Sequence, residues 1–187
     1  VVEPLADSNR GLVRRHGYAK IAMTTETTMA TSLNELMTNL PQIGRVEWIG
    51  VRPDTRTRMQ VVQEVEARQG QGLTGDRFKA MRKTREVSLI QQEHINAVAS
   101  FMGFDSIDPT ILRRNIVVCG INLLALKNKA FRIGDVRMAW TDLAQPCSKM
   151  EAALGEGGYN AMRGHGGILV RLLSSGIIRV GDEVRYD

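Results

Sequence analysis

The sequence predicts a mostly β fold, a closed or partly closed β-barrel with a few short helices. Short segments rich in Val and Ile follow one another from Gly44 onward, each bounded by Gly, Pro, Asp or Asn. Regular helical patterns do not alternate with them, which favours a barrel over a doubly wound parallel sheet. The segments are RVEWIGVR, MQVVQEVEA, REVSLIQ, NIVVCG, FRIGDVRMAW, GILVRLL and IIRVGDEVRY.

Three parts of the chain differ in pattern. Residues 1–30 show no sustained apolar period and end in the Thr-rich stretch TTETTMATS, so we expect a loose, disordered arm, with a transit peptide or an extended start as alternatives. Residues 31–43 predict a short helix and a connector, because Ser32 and Glu35 have capping-box spacing. We expect the helix to pack on the main domain through its apolar face of Leu33, Leu36, Met37 and Leu40. Residues 44–187 form the predicted barrel domain.

Further helical patterns are few. The segment QEHINAVASFMG places its apolar residues on one helical face, and Asp108 before a proline is a good cap for a turn through Leu112. Another helix is expected to begin at Pro146, because proline is favoured in a first helical turn.

Composition excludes several classes of protein. The apolar fraction of 43% suffices for one core, and no apolar run approaches the ~20 residues of a membrane span. Two cysteines do not make a disulfide framework, and no secretory signal is evident, so we expect a cytoplasmic protein without a membrane partner. The 25 basic against 20 acidic residues suit an anionic ligand, whereas 5% aromatic residues argue against a nucleic-acid partner.

Cys147 is the strongest candidate for chemistry. It follows Pro146 at an expected helix start, where unpaired backbone N–H groups stabilise a thiolate, the form that attacks, carries sulfur or binds a metal. A buried, inert thiol is the alternative. Cys119 ends an apolar run, so we expect it to serve packing.

Two glycine-rich stretches carry basic residues. RQGQGLTGDRF combines three glycines with Arg68 and Arg77, and it could bring amides and guanidinium groups to an anion, although it matches no known phosphate-loop spacing. AMRGHGGILVR places Arg163 and His165 before a strand, where a tight turn is the alternative explanation. No His or Cys pair has zinc-ligand spacing.

The segment LRRNIVVCG has several polar residues directly before a strand that is predicted to be buried. Neighbouring strand residues point to opposite faces, so Arg114 and Asn115 cannot both be solvated alike and one of them is a candidate to face a pocket. The alternative is an edge arginine paired with a surface acid.

The order of these motifs resembles the MOSC domain, the family named after the C-terminal domain of molybdenum cofactor sulfurase, in its small stand-alone bacterial form. The resemblance rests on RRNIVV, FRIG, Pro146-Cys147 and the segment from Arg163 to Gly181-Asp182, with GLTGDRF and REVSLIQQEHI ahead of them. It covers about residues 44–187.

The resemblance implies a barrel that binds the molybdenum cofactor, a pterin dithiolene bearing a phosphate. Cys147 is then the catalytic cysteine, acting as molybdenum ligand or sulfur carrier. By the same resemblance the cofactor-binding residues are Gly75, Asp76 and Arg77 of the Gly-Asp-Arg turn, with Arg114 and Asn115. We expect Arg163 and His165 of AMRGHGGILVR to bind the cofactor as well.

Two functions follow from the resemblance. The first is a molybdenum-dependent reductase of N-hydroxylated compounds, which takes electrons from an external flavin or iron-sulfur protein. The alternative is a sulfur or cofactor carrier, in which a cysteine desulfurase loads Cys147 with a persulfide and no small molecule is turned over. Amidoxime-reducing relatives carry a second cysteine where this chain has Met150, which leaves the partner open. An adaptor barrel with a merely buried Cys147 is a third possibility.

Overall fold

The computed structural model describes residues 32–55, 57–77 and 84–187. Eleven strands lie within these ranges: β1 (Gly44–Val51), β2 (Gln60–Val62), β3 (Glu64–Arg68), β4 (Gly72–Leu73), β5 (Val87–Gln91), β6 (Ile116–Cys119), β7 (Ala130–Ile133), β8 (Val136–Leu143), β9 (Ile168–Leu172), β10 (Gly176–Arg179) and β11 (Glu183–Tyr186). The arm predicted for residues 1–30 falls outside the described residues.

Seven of these strands close into a barrel, which confirms the predicted fold class. Their order is β11-β7-β8-β9-β5-β6-β1, and β1 returns to β11 through the pair Gly44 and Val184. Only β5 and β6 run parallel among the described pairs of the ring. Strand β2 extends the sheet beyond β1, and β10, β3 and β4 form a second, small sheet.

The helices lie mainly over β5 and β6. They are α1 (Leu33–Thr38), α2 (Gln92–Met102), α3 (Pro109–Leu112), α4 (Ser148–Leu154) and α5 (Gly158–Ala161), with a 3-10 helix at Leu123–Leu126. In the described part of the chain no helix is long and apolar enough to cross a membrane.

Helix starts follow the local sequence. The predicted capping box is present, since Ser32 donates its backbone N–H to Glu35 at 2.7 Å and accepts from the Glu35 amide at 3.3 Å. Asp108 caps α3 by accepting from the Thr110 amide at 2.9 Å. Helix α4 begins at Ser148, two residues later than expected, with Cys147 as its N-cap residue.

The prediction of an apolar helix packed on the barrel is wrong for α1. Its apolar side chains Leu33, Leu36 and Met37 are 71%, 57% and 58% exposed, and only Leu40, beyond the helix, packs against the barrel core.

Two cores share strands β5 and β6. Leu89 and Ile116 point into the barrel, whereas Ile90 and Val117 point outward beneath the helices, where they meet the buried side chain of Met150. Because both faces are covered, all five residues of β5 are buried.

Candidate functional site

Cys147 lies on the surface at the junction between β8 and α4. Its side chain is exposed, its backbone is extended, and its carbonyl accepts the first helical bond from the Met150 amide at 2.8 Å. Met150 is 1% exposed and anchors α4 in the core beneath the helices. The thiol is therefore presented to solvent by a segment whose next turn is packed. The possibility of a merely buried thiol is excluded by this exposure.

Arg114 lies behind Cys147 and is 9% exposed. Its guanidinium donates to the carbonyls of Gly166 and Ala144, each at 2.6 Å. Burial lowers the pKa of Arg114 to about 10, the negative charge of Cys147 in its thiolate form opposes this and raises it, and Arg113 lowers it further. The link between Arg114 and Cys147 in the structure is Ala144, whose carbonyl accepts from Arg114 and which precedes Cys147 by three residues.

The glycine pair at Gly166 and Gly167 makes this arrangement possible. A methyl group on Gly166 would overlap the Ala144 carbonyl, and one on Gly167 would overlap the Leu89 carbonyl. The Ala144 amide in turn donates to the Gly167 carbonyl at 2.9 Å. The tight-turn explanation of the HGG sequence therefore accounts for its two glycines.

A cleft of about 740 Å³ opens beside Arg113 and Lys149, the neighbours of Arg114 and Cys147 in the chain. Its lining carries four cationic side chains, Arg52, Arg58, Arg113 and Lys149, against the single carboxylate of Asp108. The other lining residues are Thr57, Met59, Thr110, Ile111, Ala152 and Ala153. Such an excess of positive charge is suited to an anionic ligand.

Arg52 is the half-buried cation of the cleft. Burial lowers its pKa most, Arg113 and Arg77 lower it further, and Asp76 opposes them. Its Nε is buried and has no hydrogen-bond partner among the residues that the structure describes. A buried donor left unpaired is costly, so this atom is a candidate to bind a ligand.

The predicted Gly-Asp-Arg turn supports the cleft from behind. Asp76 accepts from the Arg52 amide at 2.8 Å, and the Arg77 amide donates to the Arg52 carbonyl at 2.9 Å. Gly75 has φ +84°, a conformation that favours glycine. The turn thus holds the end of β1 in place, and Arg77 adds charge near Arg52.

Arg113 is directed into the cleft by an unusual backbone. It is the C-cap residue of α3 and has φ 60°, in the left-handed region where a residue with a side chain is strained by about 1 kcal/mol. This turn of the chain sends Arg113 to the cleft and Arg114 inward. Strain of this kind is frequent at ligand sites.

The cleft lining includes none of the predicted site residues, and Asn115, Arg163 and His165 lie in other surroundings. Asn115 is buried and bonds to Ser88 and Gly50. Arg163 is exposed, whereas His165 turns toward α2, with its ring centroid 4.8 Å from that of His94. Their roles toward a cofactor stay predictions.

The sequence interpretation missed part of this site. Arg52 and Arg58 come from RPDTRTR, a run that follows the first strand and was not singled out, although its repeated arginines next to a turn are a detectable signal. Arg113 belongs to LRRNIVVCG, in which only Arg114 and Asn115 were considered for a pocket. Their convergence with Lys149 depends on contacts between α3, α4 and the loop after β1.

Cys119 differs from Cys147, as expected. Its thiol donates to Glu47 at 2.9 Å, and burial together with Glu47 and Glu93 raises its pKa to about 11. Its packing at the end of β6 leaves a thiol that is protonated at neutral pH.

Solved structures share this fold. The YuaD protein of Bacillus subtilis matches with a TM-score of 0.66 at 19% identity, over 76% of this chain and 94% of that protein. YiiM of Escherichia coli matches with a TM-score of 0.56 at 17% identity, over 76% of this chain and 69% of the other. YiiM of Geobacillus stearothermophilus matches with a TM-score of 0.57 at 16% identity, over 77% and 75%. A comparison with curated protein sequences found no match.

The family is established by sequence. The model of the MOSC domain matches residues 76–185, which include Cys147, Arg113, Arg114 and the glycine pair. This match covers more than half of the 187 residues. The resemblance inferred from the motifs is therefore confirmed, and the chain belongs to the MOSC domain family.

Proposed function

We propose that this domain binds the molybdenum cofactor, with Cys147 as the protein ligand of molybdenum, and reduces N-hydroxylated compounds. The observation that carries the proposal is an exposed thiol at the start of α4, the helix whose Lys149 is one of four cations that line a cleft. A soft thiolate suits molybdenum, and guanidinium groups suit a phosphate.

The chain's own residues fit this cofactor. Arg52, Arg58, Arg113 and Lys149 would hold its phosphate, and the unpaired Nε of Arg52 is a donor ready for an anion. Gly75, Asp76 and Arg77 support Arg52 from behind. When bound, the cofactor supplies a metal centre able to pass two electrons.

The proposed reaction is a two-electron reduction. An N-hydroxylated compound takes up two electrons and two protons, its N–O bond breaks, and the amine or amidine leaves with one water molecule. The electrons come from an external flavin or iron-sulfur protein. Two free thiols suit a reducing compartment such as the cytoplasm.

Metal and pterin content test the proposal. The wild type, Cys147→Ala and Cys119→Ala are produced in a host that makes the cofactor, and both contents are measured per chain. We expect near-stoichiometric metal in the wild type and in Cys119→Ala, and loss of metal in Cys147→Ala. A wild type with neither metal nor pterin would contradict the proposal.

Turnover tests the reaction class. With a chemical electron donor, Cys147→Ser should abolish reduction of an N-hydroxylated purine, while Cys119→Ser keeps most of the activity. Equal losses in the two variants would count against Cys147 as the catalytic residue.

A sulfur carrier is the second candidate, favoured by the exposure of Cys147 at a helix start where its thiol caps no amide. The Cys147 thiolate would attack the outer sulfur of the persulfide on a cysteine desulfurase, so that the desulfurase thiol leaves and Cys147 carries the persulfide. After incubation with such an enzyme and cysteine, the intact mass should rise by one sulfur in the wild type and in Cys119→Ser but not in Cys147→Ser. An unchanged mass in the wild type would exclude the carrier.

A further inference from the structure

Two consecutive arginines leave the chain in opposite directions. Arg113 is partly exposed and lines the cleft, whereas Arg114 is 9% exposed and lies beneath the segment that leads to Cys147. The left-handed backbone of Arg113 separates them. Adjacent residues of the same type therefore have different surroundings, and the resemblance to the family alone had assigned Arg114 to the cofactor.

Arg114 is occupied by backbone carbonyls. Its Nε bonds to Gly166 and its second terminal nitrogen to Ala144, both at 2.6 Å, with a longer contact of 3.5 Å from the other terminal nitrogen to Leu112. In the described part of the chain no carboxylate lies within ion-pair distance of it. These bonds join three separate segments at one guanidinium.

Ala144, in the segment before Cys147, has both its backbone amide and its backbone carbonyl hydrogen-bonded. The Ala144 carbonyl accepts from Arg114, and the Ala144 amide donates to the Gly167 carbonyl at 2.9 Å. Ala144 is 4% exposed and precedes Cys147 by three residues. Without the guanidinium, the buried carbonyls of Ala144 and Gly166 would lose a partner, and the segment would be free to shift.

We infer that Arg114 is a positioning residue that clamps the Cys147 segment to the glycine pair, and that Arg113 is the arginine that contacts the anionic ligand. The ligand half of this inference rests on the proposed function. The clamp does not, because it is made entirely by contacts within the chain.

The clamp predicts a specific pattern in cofactor-free protein. In a Cys119→Ser background, Arg114→Met should change the rate at which iodoacetamide alkylates Cys147 by about tenfold, the effect of losing one charged hydrogen bond. Arg113→Met should leave that rate near the wild-type value. Arg114→Lys distinguishes the hydrogen bonds of the clamp from the positive charge of the side chain. It keeps the charge, but an ammonium group cannot bridge two carbonyls in a fixed plane.

If the clamp operates, Arg114→Lys behaves like Arg114→Met. A wild-type alkylation rate in Arg114→Lys would show that charge alone matters and would overturn the positioning role. A wild-type rate in Arg114→Met would overturn it as well.

The ligand half is tested on protein from a host that makes the cofactor. Arg113→Met should lower pterin content about tenfold, whereas folded Arg114 variants should retain pterin and lose the absorption band of a molybdenum–thiolate bond. Should the Arg114 variants fail to fold, Arg113→Met still decides, because unchanged pterin content in it would overturn the assignment. A wild type without pterin would contradict the proposed function. The alkylation rates would still test the clamp, because they are measured on cofactor-free protein.

Discussion

Asn115 accepts two hydrogen bonds from Ser88 through one side-chain oxygen, from the backbone amide at 3.1 Å and from the hydroxyl at 2.8 Å. Its amide nitrogen donates to the Gly50 carbonyl at 3.3 Å. Asn115 thus joins β1, β5 and β6 where two cores meet.

Replacing Asn115 should act mainly on stability. Asn115→Ala leaves buried partners on Ser88 and Gly50 unpaired, and we expect a loss of about 2–4 kcal/mol in the free energy of unfolding. Urea denaturation of cofactor-free protein measures it. Substitutions at ordinary surface positions change the free energy of unfolding by up to about 0.5 kcal/mol. A change no larger than this in Asn115→Ala would show that these bonds contribute little.

The glycine pair provides a second prediction. Gly167 has φ +85°, and a methyl group there meets the Leu89 carbonyl, so Gly167→Ala combines backbone strain with overlap and should cost about 3 kcal/mol. Gly164 has φ +79° but nothing within 4 Å of its Cβ position, so Gly164→Ala should cost only about 1 kcal/mol. Thermal denaturation of both variants checks the difference, and equal losses would refute the overlap.

The Cys119 thiol should titrate at high pH. With a pKa of about 11, roughly one thousandth of the Cys119 side chains are thiolate at pH 8. In Cys147→Ser, alkylation should therefore be slow at neutral pH and rise steeply only above pH ~10. Adding Glu47→Gln removes one cause of the raised pKa and should shift the profile to lower pH. A profile centred near the ordinary thiol pKa of about 8.5 would contradict the burial of this thiol.

The stability of the domain should fall in mild acid through His94. Burial lowers its pKa first and His165 lowers it further, against the opposing effect of Glu93. The folded state therefore binds fewer protons than the unfolded state just below pH 6.5, so stability is unaffected above that pH and declines as pH falls below it.

A matched variant isolates this effect. His94→Phe keeps an aromatic ring against His165 and removes the titration, so its stability should decline less between neutral pH and about pH 5. Urea midpoints for the two proteins across this range give the comparison. Parallel declines would show that His94 does not contribute.

Local patterns predicted most of the strands, although they misjudged where some end. The segment FRIGDVRMAW is a hairpin of β7 and β8, with Gly134 at φ +54° in its turn. By contrast, MQVVQEVEA was taken as one strand but divides at Gln63 into β2 and β3, which belong to different sheets. The segment IIRVGDEVRY likewise divides between the small sheet and the barrel. A strand signal is local, whereas the sheet it joins depends on distant partners.

Short sequence patterns were sufficient to predict a mostly β barrel, to distinguish Cys119 from Cys147 and to identify the family, because alternating apolar residues and ordered motifs are properties of short segments. Contacts between distant segments set the pairing of β1 with β11, the inward direction of Arg114 that clamps two loops, and the convergence of Arg113 with Arg52, Arg58 and Lys149 in one cleft. These outcomes depend on long-range pairing and on a single left-handed residue. No local propensity specifies them, because the contacts that offset their cost come from segments far apart in the chain.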